Sequence, residues 1–137
     1  MAIRFYVGGT PGATDGTLIS SGDMTAPVIF DGMYPAAGVI ATKAKNIFVR
    51  ADPGEVWMGV HMALVAPSGR IYISNYIYNA SVPTISWDNN AGPNGLRMYL
   101  PKLGSVNIGF ILTASINGSD LVATDLTCYL TARGVKV

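Results

Sequence analysis

The chain has 137 residues, 9 Lys and Arg against 8 Asp and Glu, a net charge of +1, and 50% apolar residues. That length fits one domain with one core. The near-neutral balance excludes the basic field that sequence-independent nucleic-acid binding needs, and no apolar run reaches the roughly 18 residues of a membrane-spanning helix.

From the start, Ile3 to Val7 reads as a strand. Gly8 through Gly16 follows as a turn-rich connection with Pro11-Gly12 and Asp15-Gly16. Thr17 to Ser20 and Ala26 to Phe30 are short strand candidates on either side of Ser21-Gly22-Asp23. Asp31-Gly32 and Pro35 break the chain again. Val39 to Thr42 and Asn46 to Ala51 read as two strands around Lys43 to Lys45, ending in the Asp52-Pro53-Gly54 turn.

From Val56 to Val65 the even positions Val56, Met58, Val60, Met62 and Leu64 are apolar, and Trp57, Gly59 and His61 take the other face. After the Pro67-Ser68-Gly69 turn, Ile71, Ile73 and Ile77 alternate with Tyr72, Ser74, Tyr76 and Tyr78. The period is two throughout, so these segments predict a hairpin with an oily face and a tyrosine face. Val82 to Trp87 continues as an edge strand because Pro83 lacks a donor, and Asp88 to Gly95 is a loop. Arg97 to Leu100 is short. A second hairpin is predicted from Val106 to Ala114 and Leu121 to Ala132, turning at Asn117-Gly118, with Leu126, Cys128 and Leu130 facing inward.

About nine short strands at this spacing predict an all-β, single-domain β-sandwich, immunoglobulin-like or jelly-roll-like, with a partly closed barrel as the alternative. The domain spans 1–137, and 1–23, rich in Gly and turn residues, is a candidate extended arm.

The chemistry-bearing residues are few. One His and one Cys among scattered carboxylates form no metal-ligand pattern, and the Asp88 to Gly95 loop lacks the ordered acidic spacing of an EF-hand. Cys128, on an inward strand position, reads as an inert thiol, and a single Cys permits no intrachain disulfide. Asp52 and Glu55 flank a turn, where both are solvated rather than paired for acid–base work. The sequons Asn79-Ala80-Ser81 and Asn117-Gly118-Ser119 read as turn chemistry, since Met1-Ala2-Ile3-Arg4 opens no export signal. No cofactor, metal or catalytic set is predicted. Tyr72, Tyr76 and Tyr78, with Trp57 and His61, are the candidate interface residues, because such side chains bury area while keeping a polar handle. Only 12% of residues are charged, about half the usual share, so the surface is expected to be covered by partners or by copies of the chain.

Asp15-Gly16-Thr17-Leu18-Ile19-Ser20-Ser21-Gly22-Asp23, followed by Ile47-Phe48-Val49-Arg50-Ala51-Asp52-Pro53-Gly54-Glu55, resembles small structural proteins of tailed bacteriophages and prophages. The resemblance covers roughly the first 60 residues and rests on turn and strand signals. It implies a non-enzymatic β-sandwich of the virion, assembled in the bacterial host cytoplasm. The leading expectation is a capsid decoration (cement) protein, a homo-oligomer bound to the major capsid protein. The alternative is a tail or fibre module that binds a host glycan or another tail protein.

Overall fold

The structure, a computed structural model, describes residues 3–20, 28 and 29, 40–65, 71–77, 86 and 87, 97–117 and 127–137. Ten strands appear there: β1 (Ile3–Val7), β2 (Thr17–Ser20), β3 (Val28–Ile29), β4 (Ile40–Ala51), β5 (Trp57–Val65), β6 (Ile71–Ile77), β7 (Ser86–Trp87), β8 (Arg97–Leu103), β9 (Ile108–Asn117) and β10 (Thr127–Lys136). They form two antiparallel sheets. Sheet 1 runs β2-β1-β4-β9-β6, and sheet 2 has three long strands, β10-β5-β8, flanked by the two-residue strands β3 and β7. The result is the expected β-sandwich. It is not a closed barrel, because among the described residues β2, β6, β3 and β7 each pair on one side only.

The pairings nest along the chain, β3 with β10, β4 with β9 and β5 with β8. Such nesting is a long antiparallel ribbon rolled on itself, the jelly-roll winding, here with β7 against β8 and with the β1–β2 hairpin added beside β4. Rolling sends consecutive strands to opposite sheets. Both predicted long hairpins are therefore corrected: β5 and β6 lie in different sheets, and so do β9 and β10. Alternation specifies that a segment is a half-buried strand, and it carries no information about which strand completes its hydrogen bonds.

The core lies between the sheets. Sheet 1 contributes Ile3, Phe5, Ile47, Val49, Ile71, Ile73, Ile108, Phe110, Leu112 and Ala114, and sheet 2 contributes Val60, Met62, Leu64, Met98, Leu100, Leu103 and Leu130. Phe5 and Phe110 meet edge to face, centroids 6.2 Å apart at 88°, the arrangement that the ring quadrupoles favour. Residues 3–20 are consequently not an extended arm. Phe5 is fully buried, and β1 pairs with β4 from Ile3 opposite Ala51 to Val7 opposite Ile47. Residues 21–23 of the predicted arm lie outside the described residues.

Two further expectations change. The gap at Lys43 to Lys45 is absent, because β4 pairs with β9 without interruption from Ile40 to Val49. Lys43 and Lys45 stand opposite Ala114 and Leu112, on the core side of the register and beyond the stretch that β1 covers. Lys43 is exposed and Lys45 half-buried, and charges at such positions deter further pairing at a strand edge. Met58 does not continue the buried face of Val60, Met62 and Leu64, for it is 41% exposed while Trp57 packs against the core. Gly59, at φ +58°, adds a residue in a left-handed conformation that a side chain would strain. Gly59 and Val60 together face Gly134, where the β5–β10 register slips. β8 runs on past Leu100 through Pro101 to Leu103, and there too the burial changes phase, with Pro101 and Lys102 both exposed.

Candidate functional site

The sandwich presents two outer faces. On sheet 1, alternation turns Phe48 away from the core, opposite Tyr6 and Gly109, yet Phe48 is almost fully buried. The β1–β2 loop covers it. Gly9 lies against the Phe48 ring, and Ile77 and Phe48 occupy the space over Gly109, where a Cβ would come within 2.8 Å of Ile77 and 2.9 Å of Phe48.

The loop is held by Asn107, the one fully buried polar residue among those described. Its Nδ2 donates to the carbonyls of Thr10 (3.2 Å) and Asp15 (3.0 Å), and its Oδ1 accepts from Arg50 Nη1 at 2.7 Å. Its backbone N–H donates to Ala13 O, and its carbonyl accepts from Gly12. Asp15 closes the loop by accepting from the Thr10 backbone N–H (2.8 Å) and hydroxyl (2.9 Å). Its carboxyl is held below the usual range, first by the Thr10 backbone bond, then by the Thr10 hydroxyl, with a smaller contribution from the charge on Arg50. Arg50 also lies 3.7 Å over the Tyr6 ring, and Arg4 Nε donates to Asp52 at 2.7 Å. Among the described residues no buried side-chain nitrogen or oxygen lacks a hydrogen-bond partner, and the bonds in this region build the fold.

The outer face of sheet 2 is organised differently. The register sets three rows across β10, β5 and β8: Val135, Met58 and Lys102; then Arg133, His61 and Tyr99; then, on β10 and β5, Thr131 and Ala63, with Arg97 beside them on β8. Ala63 is the small floor of a recess of about 270 Å³ walled by His61, Thr131, Arg97 and Arg133. His61 leans on Tyr99, ring centroids 5.0 Å apart at 53°. Among the described residues Arg97, Arg133 and Lys102 form no ion pair or hydrogen bond, whereas Arg4 and Arg50 are engaged in the loop and hairpin contacts above. Val135 and Val137 are 67% and 74% exposed.

The predicted interface residues are thus dispersed. His61 is in the recess. Trp57 sits at the rim of the core, its Nε1 donating to Glu55. Tyr72 is on sheet 1, opposite Thr113. The register shifts between Ile73 and Asn75 and sets Tyr76 opposite Phe110, so the period-two tyrosine row is interrupted at Ser74, whose hydroxyl accepts from Thr113 and donates to Ile111 O. The Tyr76 side chain, Tyr78, the Asp88 to Gly95 loop, Asn79 and the Cys128 side chain lie outside the described residues. Sequence reasoning missed Arg97 and Arg133, although each occupies the polar phase of a strand whose other phase, Met98 and Leu100 or Leu130, is buried.

Among the described residues no three His, Cys, Asp or Glu side chains are grouped to hold a metal ion, and no helix there is long and apolar enough to cross a membrane. Comparisons with protein-family models, curated proteins and solved structures return no match to the chain.

Proposed function

We propose that the protein is a non-enzymatic structural component of a tailed-bacteriophage virion, a head decoration protein that binds the major capsid protein and copies of itself. The observation that carries this reading is the outer face of sheet 2, where exposed Met58, Val135 and Val137 border three cations that have no partner among the described residues. A surface of this composition gains stability when covered, at about 25 cal/mol per Å² of apolar area before association costs. Repetition over a shell multiplies small gains through avidity. Jelly-roll sandwiches also build viral capsid domains, a fold-level analogy that supports the reading without naming a partner.

The test is to image particles carrying labelled protein and to melt shells before and after the protein is stripped and restored. Uniform labelling of the head, with a higher melting temperature on restoration, is the expected result. Label confined to the tail would favour the second reading, a tail or fibre module that binds a host glycan. The tilted His61–Tyr99 pair beside cations supports that reading, since aromatic faces suit sugar rings.

A further inference from the structure

We infer that the recess on sheet 2 is a carboxylate site, and that its occupant is an extended acidic segment of a partner protein whose Asp or Glu is gripped between Arg97 and Arg133. This rests on the reading of that face as an interface, though not on where in a particle the protein sits.

Three observations carry it. First, Arg97 of β8, opposite Ala63, and Arg133 of β10, opposite His61, line the same recess as the small side chain of Ala63 on β5, so a flat group can enter between them. Guanidinium forks match a carboxylate in bidentate geometry, which an ammonium does not. Secondly, the described carboxylates are engaged elsewhere: Asp15 with Thr10, Asp52 with Arg4, and Glu55 with the Trp57 indole. Arg97 and Arg133 have no counter-charge among the described residues. With no counter-charge among the described residues, the pair is complementary to an anion that a partner brings.

Thirdly, the same face continues into the exposed Met58–Val135 row. Along a strand that row lies about 10 to 13 Å from the recess, the span of three to four extended residues. An extended polypeptide with an apolar side chain four positions from an acid keeps both on one face and satisfies both at once. An acidic sugar would use the arginines and leave the apolar row uncovered, which is why a protein segment is the favoured occupant.

The experiment uses the full chain and a fluorescein-labelled peptide, Leu-Leu-Gly-Gly-Glu-Glu, followed by fluorescence anisotropy. The same peptide with Gln in place of Glu and a soluble oligosialic acid are run beside it. We expect saturable binding of the acidic peptide, weakened about tenfold or more by R97Q/R133Q and by the Gln peptide. Binding to R97K/R133K should fall between wild type and R97Q/R133Q, because charge remains and the fork is lost. Unchanged thermal melting of both double variants shows that the fold is retained. Equal binding by wild type and R97Q/R133Q, no saturation at about millimolar peptide, or tighter binding of oligosialic acid than of the peptide would overturn the proposal. Particle imaging reports location and this titration reports chemistry, so either can fail while the other stands.

Discussion

The outer faces of the two sheets begin from the same sequence logic, alternating strands with one phase buried, and end as opposite kinds of surface. On sheet 1 the β1–β2 loop folds back over Phe48, and Asn107, Arg50 and Asp15 satisfy one another and the loop backbone. On sheet 2 the corresponding positions hold His61, Arg97, Arg133, Met58 and Val135, with the arginines unpaired among the described residues. A face whose polar groups are consumed internally contributes stability. A face whose polar groups remain available contributes recognition, and substitutions should separate the two.

The largest effect belongs to the core that both faces share. Phe110→Ala is expected to cost about 3 to 5 kcal/mol in chemical denaturation, through lost transfer energy and the cavity left opposite Phe5. Next, Asn107→Ala strips the sheet 1 loop of its central partner and should cost about 2 to 3 kcal/mol, because a fully buried side chain that bonds Thr10 O, Asp15 O and Arg50 is removed. A loss as small as that of an ordinary surface substitution would mean that the loop does not depend on Asn107, and the contrast between the faces would dissolve.

Gly109→Ala probes the same face by overpacking. Its Cβ would meet Ile77 and Phe48 at under 3.0 Å, and a destabilisation of about 1 to 3 kcal/mol is expected, read as a shift in denaturation midpoint.

A smaller, pH-dependent effect attaches to Asp15. Its carboxyl is lowered in the folded state, so its contribution is present above the unfolded carboxylate value near 3.9 and is lost as pH falls through the lower folded value. Asp15→Asn carries no such titration. The difference in melting temperature between wild type and this variant should narrow as pH drops from about 5 to 2, and a constant difference would show that the carboxylate charge is irrelevant to the loop. The smallest effect is expected on sheet 2: Arg97→Gln with Arg133→Gln should change stability by no more than about 0.5 kcal/mol, whatever it does to binding. A large loss there would recast these arginines as part of the fold.

Much of this molecule is legible in the sequence. Period two in Val60, Met62 and Leu64, in Ile71 and Ile73, and in Ile108, Phe110 and Leu112 marks each as half-buried strand, since only the extended chain returns every second side chain to one face. Gly8 through Gly16 reads as a turn region, and so it is. The candidate site was legible only at His61. Arg97 and Arg133 are 36 positions apart in sequence and neighbours only through β5, so no local pattern joins them.

What the sequence determined by itself is therefore the class: strands, no helix among the described residues, one apolar phase per strand, and a surface with little charge. Those properties are local, set by backbone sterics and by the burial of alternate side chains. Only the tertiary structure decided that β5 and β6 part to different sheets, that Gly59 turns Met58 outward, that Asn107 is enclosed by a loop some 90 residues earlier, and that two distant arginines share a recess. Pairing, phase and enclosure arise from contacts between segments far apart in the chain, where the free energy of burying both partners chooses among arrangements that each segment alone permits equally.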